Sequence, residues 1–122
     1  MSNVYDVSFG RISPIVDKLR IDTYCTATEK ICGFLRESGV EFEKFTTCSP
    51  VSHIVDIVVY PKNEIENNFI YASISIAKLL AESCNYYQSS QGEERYYCFD
   101  NILNTHYSLN IIIDFTHFNK SI

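Results

Sequence analysis

The sequence predicts an α+β fold with an antiparallel or mixed sheet of about five strands and two to three helices packed mainly on one face. Segments that alternate in polarity lie at both ends of the chain, and segments with helical capping and periodicity lie between them. No repeat and no Gly- or Pro-rich linker divides the 122 residues. The chain is therefore predicted to form a single domain over residues 1–122.

The first half of the chain contains three predicted strands and two predicted helices. In residues 3–10, Tyr5, Val7 and Phe9 alternate with Asp6 and Ser8, which predicts a half-buried strand, and the Ser-Pro pair at 13–14 predicts the start of a short helix. A longer helix is predicted over 26–39, from a T-x-x-E capping box to a glycine stop. Strands are predicted at 40–45 and 53–60. The latter is rich in β-branched residues, so a central strand is expected there.

The longest predicted helix begins at the capping pair Asn63 and Glu66 and continues to about Tyr87. One side is predicted to cover the sheet and carries Ile65, Phe69, Ala72, Ile76, Leu79 and Leu80, widened by Ile70, Ala77 and Ala81. A narrower stripe is predicted to face water and carries Asn67, Ser75, Lys78, Glu82 and Asn85, with Tyr71 in its middle.

The last third of the chain predicts a hairpin of two strands, over residues 95–103 and 106–118. In the second strand Leu109, Ile111 and Ile113 share one face, while polar residues occupy the opposite face. This alternation is typical of an antiparallel sheet with one face in the core and one face in water.

The charge and cysteine content narrow the classes of function. The formal net charge is −5 and the ten basic residues are scattered, which argues against direct nucleic-acid binding. Five cysteines without a C-x-x-C pair indicate reduced thiols, so a cytoplasmic location is expected. No apolar run is long enough to span a bilayer, so no membrane association is predicted.

The sequence contains no motif that indicates an enzyme, a cofactor or a metal. Cys48, His53 and Asp56 are close in sequence, but a regular strand would point the last two side chains to opposite faces. The histidines and cysteines lack metal-ligand spacing, and the four glycines are too dispersed for a phosphate-binding loop. We therefore expect no enzymatic activity, no cofactor and no metal site.

The stretch NYYQSSQGEERYYCFD, residues 85–100, places a tyrosine doublet on each side of an acidic turn. Neighbouring residues of a strand point to opposite faces, so one of Tyr96 and Tyr97 is expected at the surface. Tyr86 and Tyr87, on the last turn of the predicted helix, are likewise not expected to be both buried. Exposed tyrosines are frequent at protein interfaces, although these tyrosines also suit a plain sheet edge. The predicted partner-binding residues are Tyr71, Glu82, Tyr86, Tyr87, Glu93, Glu94, Tyr96 and Tyr97.

An acidic, aromatic surface favours a small inhibitor that binds a basic protein partner. The expected class is an immunity protein or an antitoxin-like inhibitor, which occupies the positively charged site of a nuclease toxin or of a nucleic-acid-handling complex. The alternative is a small ligand-binding or enzymatic domain with a pocket between helices and sheet, lined by Tyr60, His53 or Cys48. A third interpretation is a dimerisation module that uses the exposed edge of the hairpin.

Overall fold

The computed structural model describes residues 26–48, 53–89, 93–104 and 107–118. Its main elements are a helix over residues 26–37 (α1), β1 (Glu41–Cys48), β2 (His53–Tyr60), α2 (Glu64–Leu80), β3 (Ser83–Gln88), β4 (Glu94–Asp100) and β5 (Ser108–Asp114). Short 3-10 helices follow β4 and β5, at Ile102–Asn104 and Phe115–His117. The strand predicted within residues 3–10 and the helix predicted to start at 13–14 lie outside the described residues.

The five described strands form one mixed sheet in the order β1-β2-β5-β4-β3. The β2–β5 pair is parallel, and the β1–β2, β4–β5 and β3–β4 pairs are antiparallel. Strand β2 has neighbours on both sides, as its β-branched composition predicts. The predicted α+β class and the predicted hairpin of β4 and β5 are both confirmed.

Both helices pack on the same face of this sheet. The buried strand residues alternate along the chain and therefore point to one side; they are Val55, Ile57, Val59, Phe99, Leu109, Ile111 and Ile113. They form one apolar cluster with residues of both helices, namely Ala27, Ile31, Cys32, Leu35, Ile70, Ile74 and Ala77. The opposite face of the sheet is here called the outer face.

Helix α1 ends at the glycine that the sequence marks as its stop. Gly39 has a φ of +77°, which a residue without Cβ adopts at little cost. Its N–H donates to the carbonyl of Arg36 and the N–H of Val40 donates to the carbonyl of Leu35, each at 3.1 Å. These two bonds form a Schellman motif. At the other end Thr26 is already helical, so its predicted role as the capping residue is wrong.

Helix α2 begins as predicted but ends seven residues earlier than predicted, at Leu80. The Oδ1 atom of Asn63 accepts a hydrogen bond from the N–H of Glu66 at 2.9 Å, which confirms the cap. Ala81 is extended, and the following residues pair with β4 as strand β3. The prediction that Tyr87 belongs to the last helical turn is therefore wrong, because pairing with β4 overrides the local helical pattern.

The buried side of α2 is also different from the predicted side. Its buried residues are Asn67, Ile70, Ser73, Ile74 and Ala77. The side predicted to cover the sheet is instead mostly in contact with water, with exposed Ile65, Phe69, Ala72, Ile76 and Leu79. The helical pattern shows only on which side of a helix apolar residues are concentrated. On α2 the side with more apolar residues is exposed, and the other side is buried.

Candidate functional site on the sheet

The sheet separates the four tyrosines of the β3–β4 hairpin into two pairs. Tyr86 lies opposite Tyr97, and Tyr87 lies opposite Tyr96. The first pair shares the face of buried Phe99 and points toward the helices, whereas the second pair lies on the outer face. The predicted binding residues therefore do not form one continuous patch.

The tyrosines on the helix side are engaged in internal contacts with α2 and β4. Arg95 Nη1 donates a hydrogen bond to the Tyr71 hydroxyl at 2.8 Å. The ring of Tyr97 lies edge-on to Tyr71, with centroids 6.2 Å apart, and 4.8 Å from the ring of Tyr86. Burial, and secondly a hydrogen bond with Tyr71, raises the pKa of the Tyr97 phenol above its usual range. We infer that Tyr71 and Tyr97 hold α2 against the sheet.

The predicted acidic residues lie at opposite ends of the hairpin. Glu93 and Glu94 lie at the start of β4, beside the end of β3. Glu82 precedes β3, and its Oε1 accepts a hydrogen bond from Asn101 at 2.7 Å. The length of β3 separates these two positions by about 20 Å. Glu82 therefore does not belong to the same surface as Glu94.

An aromatic and apolar row crosses the outer face of the sheet. Cross-strand partners place Val58 beside Ile112, Ile112 beside Tyr96, and Tyr96 beside Tyr87. The rings of Tyr87 and Tyr96 are stacked, with centroids 4.7 Å apart and planes 7° apart. Tyr87 is 53% exposed, so one side of the stack is open to contact. Phe45, 52% exposed on β1, adds another aromatic ring to this face.

Carboxylates surround this row. The strand positions on the outer face include six acidic residues, which are Glu41, Glu43, Asp56, Glu94, Asp100 and Asp114. None of the described strand positions on this face carries Lys, Arg or His. The single described ion pair to these carboxylates comes from Lys62 in the β2–α2 loop, 3.7 Å from Glu41. The outer face therefore presents a concentrated negative charge.

Hydrogen bonds within the outer face orient several of these carboxylates. The Tyr96 hydroxyl donates to Glu94 Oε1 at 2.8 Å, and the Tyr60 hydroxyl donates to Glu43 Oε1 at 2.5 Å. The bond to Glu43 is the main cause that raises the pKa of Tyr60 to about 12. Such bonds hold both rings against the sheet, so the surface is partly organised before any partner binds.

Among its described residues, the outer face offers no arrangement typical of catalysis or metal binding. The carboxylate of Asp56, on a central strand, accepts a hydrogen bond from Asn110 Nδ2 at 2.8 Å and is therefore already engaged within the sheet. His53 is on the other side of the sheet, where its ring packs 4.5 Å from that of Tyr107. Among the residues that the structure describes, no three His, Cys, Asp or Glu side chains come close enough to hold a metal ion.

A cavity of about 590 Å³ lies on the helix side of the molecule. It opens between α1, α2 and the turn after β4, and its lining is Thr26, Ala27, Lys30, Ile31, Ile76, Leu80 and Leu103. Neither Tyr60 nor His53, which the sequence suggested as pocket residues, contributes to this lining. The described part of this lining has one charged side chain, that of Lys30, and no arrangement of polar groups that would orient a substrate.

Sequence reasoning identifies Tyr87, Glu94 and Tyr96 but misses most of the outer face. The alternation of β1 and β2 could have identified further residues of this face, because it places residues such as Glu41 and Glu43 on one side of the strand. Recognising one surface requires the pairing order of the strands, which alternation alone does not reveal.

Over the described residues, no helix is long and apolar enough to cross a bilayer. No family model matches the chain, and no curated protein and no solved structure matches it significantly.

Proposed function

We propose that this protein is an inhibitor that binds a basic protein partner through the outer face of its sheet. The observation that carries the proposal is the aromatic and apolar row across the outer face, together with six carboxylates on the same face and no basic residue at its described strand positions. The predicted partner-binding residues Tyr87, Glu94 and Tyr96 keep their proposed role. Tyr71 and Tyr97 are proposed instead to support the hairpin from the other side.

The physical basis is complementarity of charge and shape. A protein that holds nucleic acid carries a positive surface at the site where the phosphates bind. An acidic sheet face is attracted to that surface over a distance of about 10 Å at moderate salt, which accelerates association. Once the surfaces meet, aromatic rings such as the Tyr87–Tyr96 stack slow dissociation because they exclude water from a large contact area.

The most specific form of this proposal is an immunity protein or antitoxin-like inhibitor of a nuclease toxin or nucleic-acid-handling complex. Its action would be direct competition with the phosphate backbone for the same cationic site. We place the complex in the cytoplasm, where the reducing environment suits the free thiols of Cys32, Cys84 and Cys98.

The test first captures a partner and then measures whether the protein inhibits the activity of that partner. The purified chain is immobilised and incubated with lysate of its source cells at salt concentrations from about 50 to 500 mM, a range over which charge screening changes strongly. We expect a basic protein that is retained at low salt and released at high salt. Titrating the free chain into the captured protein should then abolish its nuclease or nucleic-acid-binding activity.

Two double variants with the same change in charge distinguish binding through the outer face from binding caused by the overall negative charge. Glu94→Gln combined with Asp114→Asn removes two charges from the outer face, and Glu29→Gln combined with Glu37→Gln removes two from α1. The outer-face variant should bind at least about tenfold more weakly, whereas the α1 variant should bind like the wild type. Tyr87→Ala should mainly accelerate dissociation. Equal loss in both charge variants, or a captured partner whose activity is unaffected, would disprove the proposal.

A further inference from the structure

Helix α2 carries an exposed apolar stripe with the spacing of a coiled-coil interface. Its residues are Ile65, Phe69, Ala72, Ile76 and Leu79, which follow one another at intervals of four, three, four and three. Alternating intervals of four and three describe the a and d positions of a heptad repeat. The four large side chains are exposed by 68%, 36%, 41% and 86%, in chain order.

The stripe belongs to a broader apolar surface on the helix side. Eight large hydrophobic residues are exposed among those that the structure describes, and five of them lie here: the four of α2 and Leu103. Ile76 and Leu103 also line the cavity between the helices. Exposed apolar surface concentrated in this way is typical of an interaction site.

The charges of α2 indicate which way a partner helix would run. On its exposed positions the helix carries Glu64 in the first turn and Lys78 in the last turn, and the exposed positions between them are uncharged. Two copies of α2 in antiparallel orientation bring Glu64 of each copy near Lys78 of the other. A parallel arrangement would instead place like charges together at both ends.

The side-chain sizes along the stripe fit the same orientation. When two copies are aligned antiparallel about a point between Ala72 and Phe69, the large ring of Phe69 meets the small Ala72 of the second copy. In the same alignment Ile65 meets Ile76. Large side chains facing small ones allow the helices to approach closely, and a two-fold axis repeats each contact. The stripe is therefore complementary to itself in shape, and the charges beside it at the two ends of α2 favour the same antiparallel orientation.

We propose that this protein forms a homodimer in which α2 packs antiparallel against α2 of a second copy. The 17 residues of α2 extend over about 25 Å, enough for four a and d layers. The outer faces of the two sheets then point away from the interface, since α2 lies on the opposite side of the sheet. The dimer is thus independent of the proposed inhibitor surface and leaves it free in both copies.

The first test is the oligomeric state of the full chain. Sedimentation velocity and light scattering over a range of protein concentrations should show a monomer–dimer equilibrium. Ile65→Ser should weaken dimerisation by about tenfold or more, because it removes the apolar contact with Ile76 of the second copy. Phe45→Ser is the matched control, since it removes an exposed apolar side chain from the outer face and should leave the dimer intact.

A charge exchange tests the orientation of the two helices. Glu64→Lys and Lys78→Glu should each weaken the dimer, and the double variant should restore much of the lost affinity. Within one chain these residues are 14 positions apart, about 21 Å along the helix, so they cannot compensate for one another. Circular dichroism of each variant checks that the fold is retained. A chain that stays monomeric at all concentrations would overturn the proposal, as would a double variant weaker than both single ones.

Discussion

Replacing Asp114 with asparagine should stabilise the fold and weaken its binding to a basic partner. Asp114 lies directly opposite Glu94 across the β4–β5 pair, on the outer face. Side chains in such pairs have Cβ atoms about 5 Å apart, so the two negative charges are separated by roughly 6 Å. Like charges in this position repel one another. The variant removes the repulsion while the asparagine Oδ1 can still accept the hydrogen bond from the N–H of Thr116.

The size of the effect follows from the separation of the charges. Two unit charges at roughly 6 Å in water repel by about 0.7 kcal/mol, and screening at physiological salt reduces this to about 0.3 kcal/mol. The free energy of unfolding should therefore rise by about 0.3–0.7 kcal/mol, which corresponds to an increase in Tm of roughly 1–4 °C for a domain of this size.

Urea denaturation at pH 7, at low and at high salt, measures this gain. The stabilisation should be largest at low salt and should almost vanish near 1 M salt, where the screening length is about 3 Å. Glu37→Gln on α1 is a control with the same change in charge and no acidic partner across a strand pair. A less stable Asp114→Asn variant, or a gain that does not depend on salt, would refute the repulsion between Asp114 and Glu94.

Three further predictions concern the core, a helix end and one phenol. Phe99→Ala should lower the free energy of unfolding in urea by about 3–5 kcal/mol, because Phe99 is fully buried. Gly39→Ala should lower Tm through a loss of about 1–2 kcal/mol at a positive φ, whereas Gly33→Ala, inside α1 with open space for a Cβ, should gain up to about 1 kcal/mol. An absorbance titration should place the pKa of Tyr60 at about 12, and Glu43→Ala should shift it toward 10.0.

The phenol of Tyr60 also has a consequence for stability at high pH. Its pKa is raised in the folded state, so the stabilisation from its hydrogen bond is fully present below pH 10 and is lost as the pH rises through about 12. Glu43→Ala should remove this part of the alkaline instability. An unchanged titration curve in that variant would show that Glu43 does not raise the pKa of the Tyr60 phenol.

Equal effects of Gly39→Ala and Gly33→Ala on stability would contradict the argument that the positive φ of Gly39 makes a side chain costly there.

The features that the sequence predicts correctly depend on residues close together in the chain. The cap at Asn63 involves an atom three residues away, and the stop at Gly39 depends on the conformation of that one residue. The alternation of β5 is similarly local, because each side chain points opposite to its neighbours. These signals are sufficient to predict the α+β class.

The features that the sequence does not predict depend on distant partners. Residues 83–88 follow α2 without a glycine or proline, and their strand conformation comes from pairing with β4. The buried side of α2 includes the polar residues Asn67 and Ser73, so a search for apolar side chains selects the wrong side. The outer face combines residues of β1, β2, β4 and β5. No local pattern in the sequence predicts the order of these strands in the sheet.

The parallel β2–β5 pair affects how the protein reaches its folded state. The β1–β2 hairpin and the β3–β4–β5 meander are each built from contacts between neighbouring segments. They are joined along β2 and β5, where Asp56 and Asn110 are 54 residues apart in the chain. Closing so long a loop is entropically costly, so we expect it to follow the local steps and to limit the folding rate. Since the outer face spans this junction, an intermediate with both halves formed but not joined would lack the complete acidic surface.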